Sequence, residues 1–173
     1  MPDLDWIGEI GPAIEYRLSP AESIGTLTAK LEARAVFTSD FEDSFEYIGI
    51  NVNPSLEYTE SEIFNDRGEL FLSIGADFGF NGANDYFYEV EPQFATARRA
   101  AFDAKNGYVG VDATVGARYR ISESVTAFGF GGVGVYQGAA NADSPLFREF
   151  MTFTAGFGLT WSFLRSDRPA AGR

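Results

Sequence analysis

The chain has 173 residues, with 13 Lys and Arg against 25 Asp and Glu and a net charge of −12, which excludes a phosphate-backbone partner such as nucleic acid. It contains neither Cys nor His, so disulfides, thiolate metal sites and the usual imidazole general base are excluded together. Its 19 glycines and 16% aromatic content suit strands and tight turns better than helices.

Met1-Pro2-Asp3-Leu4-Asp5 is acidic and lacks the pattern of a signal peptide. The first strand is predicted over residues 6–18, with Trp6, Ile10, Pro12, Ile14, Tyr16 and Leu18 on one face and Glu9, Gly11, Ala13, Glu15 and Arg17 on the other. Residues 19–23 read as a turn. The second strand, 27–37, sets Leu27, Ala29, Leu31, Ala33, Ala35 and Phe37 against Thr28, Lys30, Glu32 and Arg34, with Val36 breaking the alternation. An acidic loop follows, with Asp40, Glu42 and Asp43.

The third strand, 45–58, puts Ile48, Ile50, Val52, Pro54, Leu56 and Tyr58 on the apolar face. Pro54 cannot donate to a ladder and predicts a bulge or an edge. Residues 59–67 read as a connection, and 69–80 as the fourth strand, with Phe71 the one large apolar residue on its polar face. Residues 81–107 lack a clean period of two; they contain a strand-like run at 85–90 and a helix-like run at 94–105. The fifth strand, 108–120, sets Val109, Val111, Ala113, Val115, Ala117 and Tyr119 against Gly110, Asp112, Thr114, Gly116, Arg118 and Arg120.

A very short connection, 121–123, leads to the sixth strand, 124–137, where Gly131-Gly132 predicts a bulge because the apolar parity changes between Phe130 and Val133. After the loop 138–149, the last strand, 151–163, alternates throughout: Met151, Phe153, Ala155, Phe157, Leu159, Trp161 and Phe163 oppose Thr152, Thr154, Gly156, Gly158, Thr160 and Ser162.

A soluble barrel or sandwich also alternates, but it would bury the apolar face. Here the polar face carries Glu9, Arg17, Lys30, Glu32, Arg34, Asp77, Asp112 and Arg118, which suits a wet lumen and not a dry core. Trp6, Tyr16, Phe37, Tyr58, Phe80, Tyr119 and Trp161 fall near strand ends on the apolar face, as interfacial girdles do. The pattern predicts an all-β fold: an antiparallel up-and-down transmembrane β-barrel of about seven strands, with a barrel domain over 1–164 and a tail over 165–173. With the end of the last strand periplasmic, the long loops lie outside the cell and the short turns in the periplasm. Bacterial barrels have an even strand number, so parity predicts an incomplete barrel, preceded by an odd number of further strands and a signal peptide.

Asp85-Tyr86-Phe87-Tyr88-Glu89-Val90, then Ala97, Phe102-Asp103-Ala104, Gly107-Tyr108, Tyr119-Arg120-Ile121-Ser122 and Ala142-Asp143-Ser144-Pro145-Leu146 resemble the MltA-interacting protein (MipA/OmpV) family. Gly11-Pro12-Ala13-Ile14-Glu15-Tyr16-Arg17 resembles its upstream Gly-Pro strand, and the likeness spans residues 8–163. The resemblance implies an outer-membrane barrel, in contact with outer-membrane lipid. It also implies a non-catalytic scaffold joining a lytic murein transglycosylase to a murein synthase. A small porin or receptor for a polar solute is the alternative that the charged lumen suggests.

No catalytic, cofactor-binding or metal-binding residue is assigned. Ser144, between Asp143 and Pro145, reads as part of a turn, since no histidine exists to activate it. Paired carboxylates that could cleave a glycoside read as balanced lumen charge. Asp40, Glu42 and Asp43 lack calcium-loop spacing and read as a solvated acidic loop. Arg98-Arg99 carry little weight as a lipid-phosphate site, and Tyr86, Phe87 and Tyr88 read as loop packing or a girdle.

Overall fold

A computed structural model describes residues 6–39 and 45–163. Met1–Asp5, the acidic loop with Asp40, Glu42 and Asp43, and the tail from Arg165 lie outside the described residues. The strands are β1 (Trp6–Ile10), β2 (Ala13–Arg17), β3 (Gly25–Ser39), β4 (Phe45–Ile63), β5 (Gly68–Phe80), β6 (Gly107–Arg120), β7 (Val125–Val135) and β8 (Met151–Trp161). They form one antiparallel sheet in the order β1-β3-β4-β5-β6-β7-β8, with β2 also on β3.

β1 and β2 share one register on β3, Ile10 opposite Ala35 and Ala13 opposite Glu32, so they are one strand position interrupted at Gly11-Pro12. The sheet therefore has seven positions and curls into a half-barrel. Its two ends, β1/β2 and β8, do not pair with each other.

The registers sort the side chains. Leu27, Ala29 and Leu31 lie opposite Tyr58, Leu56 and Pro54. Leu72 and Ile74 lie opposite Val115 and Ala113, and Ala113 opposite Val133. These residues share the convex face, which is exposed: Ile74 is 52% and Phe157 94% accessible. Large exposed apolar side chains across a whole sheet face have no place in a protein surrounded by water. They are what lipid-facing strands require.

Aromatic pairs mark two bands, one at each end of the strands. At one end Phe37 stacks on Phe45 at 5.0 Å, and Phe78 meets Tyr108 edge-on at 5.9 Å. At the other Phe64 meets Tyr119 at 6.2 Å and Trp161 meets Phe163 at 6.0 Å. On β6 the bands sit at Tyr108 and Tyr119. That separation is about 36 Å of strand, or about 25 Å of height at a 45° tilt, the apolar thickness of an outer-membrane barrel.

Several local expectations are corrected. No bulge occurs at Gly131-Gly132, since β6 and β7 stay in register from Val111/Val135 to Arg120/Thr126. Phe128 and Phe130 consequently point to the concave face, opposite Gly158 and Gly156. A Cβ on either glycine would meet the facing ring, so the aromatic side chains occupy the space that the glycines leave. Bulges lie elsewhere, at Ile48, where the β3–β4 register shifts between Val36 and Phe37, and at Val109 on β6. The first puts Tyr47 and not Ile48 opposite Phe37, with Gly49 at φ 149° beside it. The second sends Val109 to the concave side, where it lines a cavity with Asn51 and Asp77.

Pro54 marks neither an edge nor a bulge; it lies inside β4, between β3 and β5. The β4–β5 ladder skips Asn53 and Pro54, and Asn53 Nδ2 donates to the Ala76 carbonyl at 3.4 Å, on the strand position opposite the proline. β4 also runs past Tyr58 to Ile63, because Thr59 and Glu60 pair with Phe71 and Leu70. The connection shrinks to a tight turn with Phe64, Asn65 and Asp66 at positive φ.

The helix-like run at 94–105 is not a helix. Its backbone is drawn out by bridges between Val90 and Phe102 and between Thr96 and Arg99. The strand-like run at 85–90 is instead mostly helical: α1 spans Ala83–Tyr88, started by Gly82 at φ 96°.

Candidate functional site

The concave face gathers the charged residues that the alternation singled out. On the β1–β5 side, Lys30 Nζ reaches Glu32 at 2.7 Å, Glu57 at 3.7 Å and Glu15 at 3.9 Å. Arg34 pairs with Glu32 and lies 3.8 Å from Glu9. Asn51 Nδ2 donates to Glu9 at 2.7 Å, and Asn53 Nδ2 to Asp77 at 2.8 Å. Asp112, on β6, completes the wall of a cleft of about 300 Å³ bounded by Glu9, Glu32, Arg34, Asn53 and Asp77. Partly exposed pairs contribute about 0–1 kcal/mol each, and the lining stays acidic, with Glu9, Glu32, Glu57, Asp77 and Asp112 against Arg34.

Two predicted lumen charges lie apart from the cleft. Arg118 Nη1 sits 3.1 Å from Glu69, with its guanidinium 5.9 Å over the Phe71 ring. Arg17 turns to the β2–β3 turn, donating to the Pro20 carbonyl at 3.3 Å. The β6–β8 side of the concave face is different in kind, with Phe71 covering Gly116 and Phe128 and Phe130 covering Gly158 and Gly156. Sequence reasoning missed this strip. The signal was present: Gly alternates on one strand where Phe alternates, two residues apart, on its neighbour.

The two long loops meet over one end of the sheet. Asn84 Nδ2 and Asn141 Nδ2 both donate to the Lys105 carbonyl, at 2.8 and 2.9 Å, and Lys105 N–H donates back to Asn141 Oδ1 at 2.8 Å. Ser144 Oγ donates to the Tyr88 carbonyl at 2.7 Å and accepts from Leu146 N–H at 3.2 Å. Asn84, Asn141 and Ser144 are among the few buried polar residues, beside Val90, Ala83 and Ala139. The densest packing thus lies in this cap, whose Ala83, Asn84, Phe87 and Tyr88 face Asn51 and Asp77 across a second cavity of about 340 Å³.

The cap decides the readings of its residues. Ser144 is buried and its hydroxyl donates to the Tyr88 carbonyl, which ties the two loops together. Tyr88 packs 6.0 Å from Phe147, and burial, with Tyr136 nearby, raises its hydroxyl pKa. Tyr86 and Phe87 contact each other edge-on at 5.2 Å, as loop packing. Desolvation, then Asp85, Asp103 and Glu91, raise the Glu89 carboxyl above its ordinary value. Arg99 Nη2 donates to the Phe94 carbonyl at 2.9 Å, a contact within the loop.

Among the described residues no three His, Cys, Asp or Glu side chains are placed to hold a metal ion. No helix among them is long and apolar enough to cross a membrane. The site offers an acidic polar groove, an aromatic strip and a packed cap.

A family model described as MltA-interacting protein MipA matches residues 1–163. No curated protein and no solved structure matches the chain.

Proposed function

This chain belongs to the MltA-interacting protein MipA family, and on that premise we propose that it is a non-catalytic outer-membrane scaffold, linking a murein hydrolase of the lytic transglycosylase type to a murein synthase. The observation that carries the membrane part is the two-faced sheet, with exposed apolar residues on the convex side and ion-paired residues on the concave side. The short turns lie at one end of the strands and the long loops at the other. In this reading the short turns face the periplasm, the cap faces outward, and residues 1–164 form the barrel domain with a short tail behind it. Membership of the family supports the non-catalytic part of this reading.

The test is retention of a purified lytic transglycosylase by the immobilised, detergent-folded protein, with murein incubated in parallel. Retention without murein cleavage is the expected result. Failure to retain the enzyme overturns the scaffold role, and cleavage by the protein alone overturns the non-catalytic one.

The polar cleft beside Asp77 and Asp112 favours a second reading, a small porin or receptor for a polar solute. Planar-bilayer conductance separates the two, because a capped scaffold passes no current.

A further inference from the structure

The cavity beneath the cap, about 340 Å³, adjoins the polar cleft, because Asn51 and Asp77 line both. Its polar lining can be followed bond by bond. Asn84 Nδ2 donates to the Lys105 carbonyl at 2.8 Å and to the Gly79 carbonyl at 3.4 Å, which uses both amide hydrogens. Asn84 Oδ1 accepts no hydrogen bond among the described residues. Asn84 is only 3% exposed, yet this oxygen is not sealed off by protein; it opens on the cavity that the residue lines. A Cβ on Gly79 would collide with it, so a glycine there leaves the oxygen its place on the concave side.

The other polar groups are of the same kind. Asn51 Nδ2 donates to Glu9, and Asn51 Oδ1 likewise accepts nothing among the described residues. Asp77 accepts from Asn53 Nδ2 at 2.8 Å. Lys30, Arg34 and Arg118 pair with Glu9, Glu15, Glu32, Glu57 and Glu69, and among the described residues no Lys or Arg pairs with Asp77. The lining thus presents a carboxylate and two amide oxygens that lack donors. A neutral or anionic solute without hydrogen-bond donors would leave them so, at the cost of desolvating them.

The rest of the lining is aromatic. Phe87 and Tyr88 come from α1, with Tyr88 held against Phe147. Tyr136 lies over Gly110 and Gly134, where a Cβ would meet it, and its hydroxyl is 3.2 Å from Thr152 Oγ1. Ring faces attract an organic cation.

We propose that this cavity binds a small organic cation through a primary ammonium group. Asp77 is its counter-ion, Asn84 Oδ1 and Asn51 Oδ1 accept from it, and Phe87, Tyr88 and Tyr136 take its apolar body. An ammonium carries three donors and no acceptor, the complement of this lining. A metal ion fits less well, since among the described residues no three carboxylates gather and the walls are largely rings. The inference rests on the receptor reading above and names the class of its solute; it does not require the scaffold role.

The test is calorimetric titration of the protein, purified folded from its own membrane in detergent, with benzylamine and with its neutral analogue benzyl alcohol, each against detergent alone. Saturable benzylamine binding is expected, at least about tenfold tighter than that of the alcohol. Asp77→Asn is expected to weaken it by about tenfold, and Glu69→Gln, which removes the same charge outside the cavity, to leave it unchanged. Bound benzylamine is also expected to slow hydrogen exchange at Ala83–Tyr88, a readout that needs no variant. Equal binding of the alcohol, or an equal loss in Glu69→Gln, overturns the cation site and leaves a receptor for another solute standing. No saturable binding of either probe overturns the inference, and if bilayer conductance is also absent the receptor reading falls with it.

Discussion

At the scale of single residues the cap is the most demanding part of the chain. Asn141 is 2% exposed and makes a reciprocal pair of bonds with the Lys105 backbone. Replacing it with Leu leaves the Lys105 N–H without its acceptor, while the Lys105 carbonyl keeps its bond from Asn84, at about 1–3 kcal/mol. Asn141→Leu is expected to lower the hydrogen-exchange protection of the 81–106 and 138–150 loops while leaving β6 protected. Ser144→Ala removes one donor to the Tyr88 carbonyl and one acceptor from Leu146, so a smaller loss, about 1 kcal/mol, is expected in the same assay. Glu89 gives a pH dependence whose sign follows from its raised pKa. The folded state binds its proton more tightly than the unfolded chain does. Cap stability therefore falls as pH rises from the ordinary glutamate value through the raised one. Loop protection is expected to increase on acidification through that window, and Glu89→Gln to remove the dependence. An unchanged profile in the Gln variant would assign the effect to another group.

At the scale of elements, the alternation carried most of what could be read. Strand existence and outward faces on β3, β5, β6 and β8 follow from a period of two, which a lipid-facing strand must keep. The failures have a common cause. Parity is conserved along a strand only until an extra residue enters, and nothing local at Ile48 or Val109 announces one. Conversely, the parity change across Gly131-Gly132 predicts a bulge that is absent, because the partner glycines on β8 let Phe128 and Phe130 face inward. The helix at Ala83–Tyr88 and the Lys105 clamp depend on contacts between two loops more than 30 residues apart, which no window along the chain contains. Of the candidate site, the charged residues were legible and their partners were not. The faces themselves can be tested on β6. Val111→Arg or Val115→Arg is expected to cost about 2–4 kcal/mol if near the midplane, and Thr114→Arg far less. Denaturant unfolding from lipid bilayers reads the difference. Equal costs on both faces would contradict the register.

At the scale of the whole molecule, the sheet is inside-out relative to a water-soluble barrel: its ion pairs line the concave side and its aromatic bands girdle the convex one. Membership of the MipA family and this inversion point to the same surroundings, a bilayer about as thick as the gap between the bands. The protein has no cysteine, so single spin labels can be placed along β6 without a background. The most direct measurement is the accessibility of such labels in bilayers to oxygen, which partitions into lipid, and to a water-soluble nickel chelate. Oxygen accessibility is predicted to peak at Val111, Ala113, Val115 and Ala117, with the nickel chelate peaking at Asp112 and Thr114 and the alternation breaking at Val109. A profile without a period of two, or one with nickel favouring the valines, would contradict a lipid-facing convex surface.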